Sequence, residues 1–290
     1  MASASITAGS AGRTTAGHPP PEVAALVRGS RPRKRWRYVA VFGEELHLCA
    51  AHVDIGPARQ TFWALLERGS GRLRERTRLL PRRGEVRLVH GGERDGAGAL
   101  RIADRGRGVQ LDLALFEQAG IEALCAHGSQ QVWTRKQGGI RARGTLALDG
   151  GPAREVEALA VIDDTCGHHA RVTEWRWSAG VGVARDGRAV AWNLVSGVND
   201  PPTGSERAIW IEGVPGEPAP VSFAEDLTCV TFAGGEQLSF AAEAERARRD
   251  RLVLLESEYR APFGAVSGAL PGGIELASGS GVMEHHRARW

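Results

Sequence analysis

Between Val161 and Gly180 the chain reads VIDDTCGHHARVTEWRWSAG. Three carboxylates, a thiol, two adjacent imidazoles and two indoles fall in that one stretch. A carboxylate buried beside Trp has its pKa pushed toward neutrality, which suits it to general acid or base work. Asp163, Asp164, His168 and Glu174 are the candidates for that role. The plainer alternative is that Asp163 and Asp164 cap a turn before Gly167 while His168 and His169 face solvent. A transition metal is not expected here. Adjacent histidines on a strand point to opposite faces, and neither HxH nor HExxH is present.

Trp175 and Trp177 share strand parity and therefore one face, where they cover an apolar ligand or complete a core. Lys136, in VWTRKQGG, stands out for a different reason. The chain has 37 basic residues, of which only Lys34 and Lys136 are lysines. Where Arg serves almost everywhere, a retained ammonium points to a need for its compact, adjustable charge, such as neutralising a buried carboxylate or holding an anionic ligand.

The elements around these residues read as strands. Gly (38) and Pro (14) punctuate the chain, and alternating runs such as RYVAVF, ELHLCAAHVDI, GVQLDLALF and GGIELASG lie between turn signals. GVGVAR and RAVAWNLV flank Asp186-Gly187, a pair suited to a two-residue type I′ hairpin turn. That turn would set Val181 opposite Trp192 and Trp177 opposite Ser196. It would place Glu174, Ser178 and Asn193 together on a face of small residues, away from Trp175 and Trp177. If the small-residue face lines a pocket, Glu174 is its desolvated carboxylate. If the Trp face lines it, Glu174 is solvated.

Composition sets the outer bounds. A chain of 290 residues accommodates two domains or one long β unit. Residues 1–20, small and polar, read as a disordered leader; 21–140 and 141–290 read as two antiparallel β units. A net charge of +3, from scattered charges of both signs, argues against nucleic acid. Cys49, Cys125, Cys166 and Cys229 lie far apart with no CxxC pair, which fits a reducing cytoplasm. No run approaches 18 apolar residues, so the expected membrane involvement is at most transient contact.

VWTRKQGG, RGTLAL, the stretch from Val161 to Asp200, SERAIWIEG, PVSF and MEHHRARW together resemble the bacterial domain of unknown function 2804, over about Trp36 to Trp290. Such domains are distantly similar to carotenoid hydratases and lipocalin-like cyclases. That resemblance implies an all-β fold of two calycin-like or lipocalin-like antiparallel barrel or sandwich halves, with a pocket inside or between them. It implies an apolar isoprenoid- or polyketide-like small molecule as partner. Asn193 and Glu206 stand at family positions, and with Trp133, Lys136, Trp175 and Trp177 they form the expected ligand-binding set. No dinucleotide, P-loop or GxSxG motif is present. Two functions follow: a cofactor-independent hydratase, isomerase or cyclase, or a protein that binds a lipid-like ligand without turnover.

Overall fold

The computed structural model describes residues 19, 21–28, 31–91, 97–251 and 256–289; the expected leader, residues 1–20, lies almost wholly outside them. Apart from one helical turn, Pro21–Ala24, and one 3-10 turn, Arg105–Arg107, the regular elements are antiparallel strands. They form two large sheets. In the first, the path runs from Arg72–Arg78 back through Lys34–Phe42, then across to Arg154–Gly167, Gln130–Leu148 and out to Val86–Val89. The second runs from Val214–Gly216 back through Val172–Ala184, across to Ile274–Arg289 and out to Val221–Phe223. In each sheet the first long strand pairs with the last, so the two halves repeat one topology although the sequence shows no short period.

The chain crosses between sheets at residues 168–171, not near residue 140. Gln130–Leu148 and Arg154–Gly167 form one long hairpin, and its second strand pairs with Lys34–Phe42 in the first sheet.

Strand composition explains the layering. Ala97–Asp104 and Val109–Phe116 alternate between buried and exposed side chains, as befits strands with one solvated face. Ala189–Ser196 and the later part of Val172–Ala184 are buried on both faces. They lie between layers. One core fills the curl of the first half, around Leu48, Trp63 and Leu111. Another fills the second half, around Trp192, Leu238 and Met283. A third joins the two sheets through Tyr38, Trp177 and Phe263.

The expected hairpin exists, in a different register. Ala184 N–H donates to Arg188 O and Gly187 N–H to Ala184 O, closing a three-residue loop with Gly187 at φ 89°. This is a type I turn followed by a bulge. The extra loop residue moves the partner strand by one position. Gly180 therefore faces Trp192, and Trp177 faces Val195. Asn193 joins the Trp177 face, leaving Ser178 opposite Leu194. Gly180 is required there, because a Cβ would sit 2.2 Å from Trp192 Cζ2. The left-handed pair that a type I′ turn needs occurs instead at Asp149 (φ 52°) and Gly150 (φ 76°).

Candidate active site between the two sheets

Adjacent strand residues face opposite ways, so Asp163 and Asp164 separate. Val161, two before Asp163, belongs to the core between sheets, whereas Ile162 belongs to the first half's own core. Asp163 accordingly lines a cavity of about 140 Å³ between the sheets, close to the size that holds a single buried ring. Tyr38 and Phe62 contribute from the first sheet, and Trp175, Trp177 and Tyr259 from the second.

One wall carries a buried charge cluster. Lys136 lies directly across from Asp163 in the strand register. Its Nζ is 2.5 Å from Asp163 Oδ1 and 3.4 Å from Glu206 Oε2. Burial pulls the Lys136 pKa down, but the two carboxylates outweigh it and the net shift is upward. Burial raises the Glu206 pKa against the pull of Lys136. Other donors complete the set: Thr165 Oγ1 and Trp36 Nε1 to Asp163, and Asn199 Nδ2 to Glu206. Asn193 stands behind, accepting from Trp177 Nε1 at 2.8 Å and donating to the Glu206 carbonyl at 2.8 Å. His169 lines the cavity between Trp36 and His127, each ring 5.1 Å away. Burial, and then Lys34, hold its pKa well below the usual range.

The opposite wall is supplied by the last strand. Glu284 pairs across from Trp177, and His286 across from Trp175. Trp175 Nε1 donates to Glu284 Oε1 at 2.8 Å. Burial pushes the Glu284 pKa up to about 7, against the hydrogen bond from Trp175 and the nearby Tyr259, with the charge of Asp163 adding to the rise. Tyr259 Oη is close enough to influence Glu284, yet among the described residues it completes no hydrogen bond of normal geometry. His286 is held at about 3, chiefly by burial, so it is neutral at pH 7. Its Nε2 lies 2.8 Å from Ser257 Oγ, and the imidazole tautomer decides which of the two donates.

Of the residues chosen from the sequence, the fold gathers Asp163, Lys136, Glu206, Trp175 and Trp177 around the cavity, with Asn193 one hydrogen bond behind. The other four lie elsewhere. Asp164 is bound by Arg37 Nη1 at 2.7 Å within the first half. His168 is hydrogen-bonded through Nε2 to Ala25 O at 3.0 Å. Trp133 packs on Val23 and Cys166 and donates to Glu122. Glu174 is half exposed, on the strand face away from Trp175, where His285 and Arg287 hold its carboxylate. The hydrogen bond from His285 lowers its pKa. Glu284, His286, Tyr259, Ser257 and Arg246 were missed. The sequence held one usable signal: in MEHHRARW, Glu284 and His286 share strand parity.

Among the described residues, no three His, Cys, Asp or Glu side chains converge as a metal site, and no helix is long and apolar enough to cross a membrane. All four cysteines are unpaired.

Comparison with known proteins agrees with this architecture. A protein assigned as AttH from Nitrosomonas europaea is similar in structure, with a TM-score of 0.57 at 14% identity over 87% of this chain and 92% of that one. Kievitone hydratase from Nectria haematococca is similar with a TM-score of 0.50 at 8% identity over 90% and 89%. At such identities the likeness establishes a shared lipocalin-like fold. No curated protein sequence matches the chain. The profile of the family described as domain of unknown function (DUF2804) matches residues 99–290, well over half the length; the span holds Lys136, Asp163, Glu206 and Glu284 but not Trp36, Tyr38 and Phe62 of the cavity lining. The chain therefore belongs to the DUF2804 family.

Proposed function

We propose that the cavity between the sheets is a cofactor-independent acid–base site for an unsaturated, largely apolar small molecule, with Glu284 as the proton donor. The observation that carries this reading is Glu284 itself, a buried carboxyl at about pKa 7 beside Trp175 in an aromatic cavity. Such an acid is partly protonated at working pH and sits where a hydrocarbon packs.

The chemistry balances without a cofactor. Glu284 gives its proton to one alkene carbon, forming a C–H bond and a carbocation and leaving a carboxylate. The faces of Trp175, Trp177 and Tyr259 stabilise positive charge, and Asp163, held by Lys136 on the facing wall, adds a negative one. Water then attacks the cation and its proton returns to Glu284, which is hydration. Loss of a neighbouring C–H proton to Glu284 is isomerisation. Attack by an internal alkene followed by the same proton loss is cyclisation. Kievitone hydratase shares the fold, and hydration is accordingly one outcome to look for. The unpaired thiols support a reducing, cytoplasmic setting.

The apolar lining also supports a second reading, retention of a lipid-like ligand without turnover. Incubating the protein with a panel of polyenes in D2O separates the two. Deuterium incorporation or the added mass of D2O, lost in Glu284→Gln, supports the enzyme. A stoichiometric ligand extracted chemically unchanged, with no exchange in any substrate tried, supports the binder.

A further inference from the structure

Arg246, on the strand Gln237–Arg251, lines the same cavity and is only 3% exposed. Its guanidinium offers five N–H donors. Among the described residues it makes one hydrogen bond, from Nη2 to Thr77 Oγ1 at 2.9 Å. Nε forms an ion pair with the half-exposed Glu75, 3.5 Å from its Oε2, without hydrogen-bond geometry. Two aromatic rings flank it: Cζ lies 4.2 Å from the Phe62 centroid and 4.9 Å from that of Tyr259. Those rings are 6.3 Å apart, so the guanidinium sits in the corner between them. Aromatic faces offset part of its charge but accept few of its N–H groups.

Leaving a buried cation so thinly bonded is costly unless something else arrives to use it. Glu284 does not. The two share the cavity, yet among the described residues no ion pair joins them, and Glu284 keeps its raised pKa although Arg246 is near enough to lower it. Had they paired, the acid would be ionised and the guanidinium occupied. Their separation preserves both a proton donor and an anion receptor.

We infer that the ligand of this cavity carries a carboxylate, which docks on the open edge of the Arg246 guanidinium and places the adjoining unsaturated carbons beside Glu284. This rests on the acid–base reading above and names the class of molecule it acts on: an unsaturated apolar acid. A carboxylate matches the planar fork of a guanidinium through two parallel hydrogen bonds, which an alcohol, ketone or hydrocarbon does not.

The test compares trans-cinnamate and sorbate, both small enough for the cavity, with their methyl esters by titration calorimetry on the whole protein. Each acid is expected to bind about tenfold or more tighter than its ester. In Arg246→Gln that ratio falls toward one while ester affinity is kept; Arg246→Lys retains part of it. Equal binding of acid and ester by the unaltered protein overturns the carboxylate assignment and leaves the cavity reading standing, whether or not the variants fold. A preference that survives in folded Arg246→Gln overturns the role of Arg246. Failure of both acids and both esters to bind overturns the apolar cavity, and this inference with it.

Discussion

Trp175 and Glu284 meet on the first and last strands of the second sheet, indole Nε1 to carboxyl Oε1 at 2.8 Å. A donor and an acid far apart in sequence thus form a unit only when the sheet's first and last strands in chain order pair at its centre. The indole restrains a pKa that burial raises.

Glu284→Gln should separate stability from chemistry. The folded protein keeps the Glu284 proton up to about pH 7, whereas the unfolded chain releases it near the ordinary value of 4.5. Between those pH values the unfolded state gains relative to the folded one. Glu284 therefore lowers stability progressively, by roughly 3 kcal/mol in all. Urea unfolding should find variant and wild type alike near about pH 4, with the variant roughly 3 kcal/mol more stable near about pH 8. Turnover should fall by about a hundredfold or more.

Trp175→Phe keeps most of the aromatic wall and removes the indole N–H. Since that hydrogen bond lowers the Glu284 pKa, its loss should raise it further, by up to about one pH unit. Carbon-13 NMR of labelled glutamate, or the alkaline limb of a pH–rate profile, should show the rise. A downward shift would contradict the assigned partner.

Lys136→Met should destabilise by about 3–5 kcal/mol, because it leaves Asp163 and Glu206 buried without their cation. Adding Asp163→Asn should recover part of the loss. Chemical denaturation of the single and double variants measures the coupling.

Glu174→Gln should change stability by no more than about 1 kcal/mol, as its ion pairs are at the surface, and should leave turnover and ligand retention intact. A large loss of activity would return Glu174 to the site.

Strand density, the shared face of Trp175 and Trp177, and the singularity of Lys136 were all legible in the sequence, since each depends on local pattern. The hairpin register was not. Asp186-Gly187 suits both a two-residue and a three-residue loop, and one extra residue moves Asn193 to the other face. Nor does local pattern say which of Asp163 and Asp164 looks into the cavity. That depends on which side of the first sheet meets the second. Glu284 was hidden because its burial arises from pairing Ile274–Arg289 with Val172–Ala184, a contact that no nearby residue announces.

Both lysines of this chain lie under the surface, Lys34 at 2% and Lys136 at 1% exposure. The folded protein therefore shields its side-chain amines from acylating reagents. Amine labelling becomes a reporter of breathing: mass gained at Lys136 marks moments when the seam between the sheets parts. Where opening and closing are fast relative to labelling, the rate yields the free energy of that parting. A ligand that bridges the two walls should slow it, so labelling followed by mass spectrometry can screen ligands before any reaction is known.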